Sequence, residues 1–201
     1  MFAASPVLQQ ETRPAPRQAH DSAPPGETSN ERKRRFERSV VPHLNAAYNL
    51  ARWLTRNDHD AQDIVQDALL RAFRFFDSLR GEAKPWLLAI VRNACFTWLQ
   101  ANRPADTVAF NETLAELLPS EDDGPEALAV RNSDRKMLNA AIDTLSAPFR
   151  EVLILRELED MSYKDIARIA DVPIGTVMSR LARARRMLAD SLHATHNISR
   201  T

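Results

Sequence analysis

The sequence predicts an all-α protein: two small helical domains joined by an acidic linker, the second domain containing a helix-turn-helix. Three observations carry this. Only four glycines occur in 201 residues, too few for the turns of an all-β architecture. Apolar residues recur at helical spacing in two separate blocks. Between the blocks, Pro104 to Val130 holds Asp106, Glu112, Glu116, Glu121, Asp122, Asp123 and Glu126 without one Lys or Arg, which is the composition of a solvated linker.

Residues 1–30 contain Pro6, Pro14, Pro16, Pro24, Pro25 and Gly26 among Gln, Ser, Thr and Ala. Such a segment buries too little apolar surface to offset the entropy of ordering it and is expected to be a disordered tail. The first domain, 31–103, opens on Arg32-Lys33-Arg34-Arg35, read as a solvated first helical turn. Phe36, Val40, Leu44, Ala47, Tyr48, Ala51 and Leu54 then form one helical stripe. Asn57 and Asp58 offer N-caps for a second helix, with Ala61, Ile64, Val65, Ala68, Leu69, Ala72, Phe73 and Phe76 on its inner side. Asp77 to Lys84, with Gly81, reads as a loop. Pro85 fits a first helical turn and starts a third helix with Leu87, Ile90, Val91, Ala94, Cys95 and Trp98 inward.

The linker spans 104–132 and has room for one weak helix around Leu114, Leu117 and Leu118. The second domain, 133–193, starts with a stripe of Met137, Leu138, Ala141, Ile142 and Leu145. Pro148 opens a further helix with Phe149, Val152, Leu153 and Leu155. Ser162 stands three residues before Asp165, a capping-box-like start to a short helix. After Ala170-Asp171-Val172-Pro173 a long helix runs to about Leu192, and 194–201 is a tail.

Charge and composition exclude several classes. Lys plus Arg number 27 and Asp plus Glu 27; a net charge of zero argues on its own against a nucleic-acid binder, which usually carries a basic excess. The charges are segregated, however: Arg180, Arg183, Arg185 and Arg186 crowd together far from the acidic linker. No stretch approaches the roughly 20 apolar residues of a membrane-spanning helix, and residues 1–30 lack the apolar core of a secretory signal, so the expected location is the cytoplasm without membrane insertion. Cys95 has no cysteine partner for a disulfide or a Cys-rich metal site and reads as a small core residue. The five histidines are scattered and no nucleophile or phosphate-binding loop appears, so no catalytic residue, metal or cofactor is expected.

A short helix, a tight turn and a longer basic helix are the parts of a helix-turn-helix, whose second helix enters the major groove. At about 100° per residue, Val177, Leu181, Ala184 and Leu188 stack on one side, and Thr176, Ser179, Arg180, Arg183 and Arg186 spread over the other. Arginine can fork onto guanine O6 and N7 or hold a phosphate, and the hydroxyls can hold phosphates. By charge alone, a solvated cationic face looks the same. The preceding Ser162-Tyr163-Lys164-Asp165-Ile166-Ala167 and the short turn favour DNA binding.

Tyr163-Lys164-Asp165-Ile166-Ala167 followed by Gly175-Thr176-Val177-Met178-Ser179-Arg180-Leu181-Ala182-Arg183-Ala184-Arg185 resembles region 4 of extracytoplasmic-function (ECF) sigma factors. The likeness extends upstream through Leu145, Pro148, Phe149, Arg150, Glu151 and Val152. Pro173 departs from it, standing where the family often has a serine that caps the recognition helix. The resemblance implies that Lys164, Thr176, Ser179, Arg180, Arg183 and Arg186 contact a −35 promoter element. Asp60-Ala61-Gln62-Asp63-Ile64-Val65-Gln66-Asp67 is similar to sigma region 2.2, which in the family docks on the clamp coiled coil of RNA polymerase. Asp60, Asp63, Gln66 and Asp67 are the expected contacts, their charge suiting a basic partner surface.

The following loop and third helix resemble regions 2.3 and 2.4, which open and hold the −10 element. The residues expected there are Arg80, Lys84, Trp86, Asn93, Phe96, Thr97, Gln100 and Arg103. Exposed aromatics can stack on unpaired bases and Asn or Gln can read their edges; alternatively, Trp86 folds under the loop and Phe96 packs on a neighbour. The partners implied are core RNA polymerase, through its clamp coiled coil and flap, promoter DNA, and an anti-sigma factor. A helix-turn-helix regulator that binds an operator without entering polymerase is the main rival, though no heptad seam or ligand-binding α/β pattern supports it. A decoy that mimics region 2 alone fits less well, because region 4 is complete.

Overall fold

The computed structural model describes residues 28–102 and 125–198, with side chains from 134 to 194 in the second stretch. Most of the expected N-terminal tail and of the linker, and Arg103, lie outside the described residues. Every regular element among the described residues is helical, and no helix among them is long and apolar enough to cross a membrane.

Helix α1 (Ser29–Val40) begins with a capping box: the Glu31 amide donates to Thr28 Oγ1, and the Thr28 amide donates to the Glu31 carboxylate at 2.8 Å. Each bond satisfies a backbone donor that a helix start leaves free. The stripe from Phe36 to Leu54, expected as one helix, is broken. A 3-10 turn at Val41–His43 separates α1 from α2 (Leu44–Thr55). Pro42 is the cause, since it has no N–H to donate and its ring clashes with the preceding turn. Val40, Leu50, Ala51 and Leu54 nevertheless reach one core, so the apolar pattern runs on across the break.

The basic run on α1 is only partly solvated. Arg32 and Arg35 both donate to the Asp77 carboxylate at 2.9 Å, and their guanidiniums lie over the rings of Phe73 and Phe76. These contacts fix α1 to the end of α3 (Asp58–Arg74), whose own start is capped by the Asn57 side chain accepting from the His59 and Asp60 amides. Gly81, at φ +84, turns the loop into α4 (Ala83–Ala101), a left-handed conformation that glycine adopts without strain.

In the second half α5 (Pro125–Asp143) begins within the segment expected as linker, ahead of the expected domain start at 133. Helices α6 (Ala147–Glu157), α7 (Tyr163–Ala170) and α8 (Ile174–Ile198) follow. Ser162 caps α7 by accepting from the Asp165 amide at 3.1 Å, and Asp171, at φ 53, ends it. The missing cap at Pro173 is met by the backbone: its carbonyl accepts from Thr176 and Val177. Proline suits a first turn because the N–H it lacks would be unpaired there in any case.

Helices α2, α3 and α4 pack together, as do α6, α7 and α8. The two groups join where α2 meets α6 and α4 meets α7, giving one continuous apolar core. Arg150 ties this junction. Nearly fully buried, it donates to the carbonyls of Leu145 and Ile142 at home and of Trp53 across the junction, the last at 2.7 Å. Burial, aided by Arg56, pulls its guanidinium down to about 10, and carbonyl acceptors are what allow a buried cation.

Candidate nucleic-acid interface

The helix-turn-helix is α7, the turn at Asp171–Pro173, and α8. Val177, Leu181 and Ala184 are buried and anchor α8, as the wheel requires. Opposite them Ser179, Arg183 and Arg186 are exposed, with Lys164 exposed on α7. Thr176 and Arg180 are half-buried at the edge of this face, and the charge of Arg180 acts on the buried Glu151 carboxyl. The Ser179 hydroxyl donates to the Thr176 carbonyl at 3.0 Å, leaving its lone pairs outward. Arg185, in the same basic cluster, is held by Glu157 at 2.6 Å and so sits away from the face.

On α3, Asp63, Gln66 and Asp67 are exposed and Asp60 is half-buried. Together they make an acidic surface backed by buried Ile64 and Val65. Leu70, 66% exposed, continues the face one turn beyond Gln66.

The residues expected at the −10 element are less uniform. Asn93, Thr97 and Gln100 are exposed on α4, and Arg80 is exposed in the loop, where it donates to the Asp77 and Leu79 carbonyls. Thr97 spends its hydroxyl proton on the Asn93 carbonyl at 2.9 Å. Trp86 is half-buried against Phe76, with ring centroids 6.5 Å apart, so the packed alternative describes it here. Phe96 is half-buried under the Arg92 guanidinium, 4.1 Å from its ring centre. Lys84 points across the junction, its ammonium donating to the Glu159 carbonyl at 2.8 Å and pairing with that residue's carboxylate at 3.1 Å.

Three residues at the junction escape a reading by periodicity. Arg92 donates to Glu151 at 2.7 Å, and Glu151 is fully buried with its second oxygen unpaired among the described residues. Burial raises the Glu151 carboxyl while Arg92, and then Arg180, oppose the rise. Arg150 and Glu151 stand directly before the apolar Val152-Leu153-Ile154-Leu155 run. Two adjacent charges abutting an apolar run that is buried on all sides are the signal that could have marked them.

Two known protein families match successive parts of the chain. The sigma-70 region 2 family matches residues 40–104, and the sigma-70, region 4 family matches residues 135–188. The ECF RNA polymerase sigma-E factor of Haemophilus influenzae is 34% identical over 173 residues, covering 80% of this chain and 88% of that protein. Its Escherichia coli counterpart is 34% identical over 137 residues, 64% of this chain and 72% of that one. Among solved structures, the sigma factor RpoE of Bartonella quintana, in complex with the anti-sigma factor NepR, matches with a TM-score of 0.64 and 30% identity over 80% of this chain and 98% of that chain. With the two sigma regions in order, the helix-turn-helix formed and relatives matched over most of their length, the chain belongs to the ECF sigma factors, the RNA polymerase subunits of transcription initiation.

Proposed function

We propose that this sigma factor docks on core RNA polymerase through Asp60, Asp63, Gln66 and Asp67, lays α8 in the major groove of a −35 element, and holds the opened −10 strand with α4 and the loop before it. Residues 31–103 form the polymerase and −10 module, 104–132 the tether, and 133–193 the −35 module. The observation that carries this reading is the presence in one chain of two exposed faces of opposite charge: the acidic face of α3, and the Ser179, Arg183 and Arg186 face of α8. The first suits a basic protein surface and the second a phosphate backbone. Polymerase performs the chemistry and this subunit supplies promoter choice, with no catalytic step or cofactor of its own.

The closed junction bears on how the protein works. Lys84 is engaged with Glu159, so gripping a −10 strand through Lys84 would compete with the contact that holds α4 to the second domain. An anti-sigma partner, such as the one bound to the Bartonella relative, would hold the protein inactive in the cytoplasm, where polymerase acts, if it favours the closed arrangement. The test is transcription by core polymerase, with and without the purified chain, on a random promoter library, followed by sequencing of the transcripts. New start sites sharing a two-part upstream motif are expected; no chain-dependent transcript from any template overturns the reading.

A further inference from the structure

The open side of α8 is not uniformly polar. Ile174 and Met178 lie one helical turn apart and are 47% and 50% exposed, while Val177 and Leu181 beside them satisfy the core. Single exposed apolar residues are ordinary. These two, however, stack at i and i+4 on the first turns of the recognition helix, the part of a helix-turn-helix that meets base edges. Ser179 follows Met178 directly on α8 and Lys164 stands across the turn, both exposed as a phosphate-binding rim would be.

Gly175 lies between the two and gives a second, independent observation. A Cβ added there would meet nothing within 4 Å, so no packing within the chain requires a glycine. Glycine costs helix stability relative to alanine. Its bare backbone does allow close approach by something outside the chain. Rims of hydroxyl and cationic groups around a narrow apolar strip match a major groove, whose one apolar group is the 5-methyl of thymine.

We propose that Met178, backed by Ile174, selects a thymine in the −35 element by packing on its 5-methyl, with Gly175 giving the helix backbone room to approach. The inference rests on the reading of α8 as the −35 helix. It assigns an apolar contact to the edge of a face otherwise read through arginines and hydroxyls.

The test uses holoenzyme made with the full chain and a promoter recovered from the library, each −35 thymine being replaced in turn by deoxyuridine, which removes only the methyl. At one position the replacement is expected to weaken promoter binding about 4-fold, the equivalent of one buried methyl. Met178→Ala should bind the deoxyuridine and thymine templates equally, with its melting temperature unchanged because the side chain lies outside the core. Met178→Arg, screened on the same library, should shift the preferred base at that position from thymine to guanine, whose O6 and N7 a guanidinium can fork. If no thymine responds to deoxyuridine, or Met178→Ala keeps the full response, the inference fails while transcription leaves the sigma reading standing. If no promoter is used at all, both fail. Loss of binding to a protein partner by Met178→Ala, with an unaltered promoter response, also overturns the inference.

Discussion

Replacing Arg92 with alanine is expected to destabilise the folded chain by about 3–5 kcal/mol at neutral pH, the range for removing one partner of a buried ion pair. The structure supplies the reason for that size. Arg92 donates to a carboxylate that has no exposure and whose other oxygen has no partner among the described residues. Without Arg92, only the weaker influence of Arg180 opposes burial of the charge. For a chain of this length the loss corresponds to a fall in Tm on the order of 6–20 °C.

The pH dependence makes the prediction sharper. Burial raises the Glu151 carboxyl above its ordinary 4.5. A raised carboxyl binds its proton more tightly in the folded state, so its contribution to stability is complete below 4.5 and is lost as pH rises through the folded value. Arg92 lowers that folded value, so Arg92→Ala raises it further and makes a neutral acid easier to accommodate. The penalty of Arg92→Ala should therefore shrink as pH falls toward 4.5. Glu151→Gln removes the charge at nearly constant shape; it should cost less than Arg92→Ala, and in the double variant it should restore part of the loss. Urea unfolding followed by helical circular dichroism, at neutral pH and near 4.5, measures all of these. A cost of Arg92→Ala below about 1 kcal/mol at neutral pH, the level of an exposed pair, refutes the reasoning. So does a cost that does not change with pH.

Arg183→Ala should weaken binding to a −35 duplex by about 1–3 kcal/mol if Arg183 forks a base, whereas loss of a phosphate contact alone would lower the salt slope by about one unit and leave base preference unchanged; fluorescence anisotropy over a salt series separates the two. Asp63→Arg should reduce co-elution with core polymerase without changing duplex affinity, and normal co-elution would remove Asp63 from the docking face. Burial, reinforced by the nearby Glu151 charge, pushes the Cys95 thiol up to about 12, so an alkylating reagent at mildly alkaline pH should modify it in urea and leave the native protein untouched; prompt native labelling would show that α4 opens from the core.

The helices of the second domain were legible because their signals are local. Ser162 capping α7, a proline at the start of α6 and the Val177, Leu181, Ala184 stripe each depend on neighbours a turn away. The first domain exposes the limit of that approach. Phe36 to Leu54 keeps a helical period because both segments face one core, so periodicity alone did not register Pro42 as a break. The basic run at Arg32 to Arg35 likewise read as solvated, since its acceptor, Asp77, lies just beyond the far end of α3. The junction was illegible for the same reason, because Arg92, Lys84, Glu151 and Glu159 take their roles from partners far away in the chain.

Lys84 shows why the site is harder to read than the fold. Expected in a loop, it stands in the first turn of α4, at a position that matches a residue gripping a melted strand, yet its ammonium here satisfies the carbonyl and carboxylate of Glu159. Glu159 is nearly fully buried, so its charge would stand uncompensated if Lys84 left without the junction opening. A DNA phosphate would compete with the buried carboxylate for this ammonium. Strand binding through Lys84, as proposed, would therefore oppose closure of α4 on the second domain, and a ligand that favours either state would shift the other by its difference in affinity for the two. The family resemblance implies DNA for this residue, whereas in the folded chain it pairs with Glu159, a partner 75 residues away that no local pattern announces.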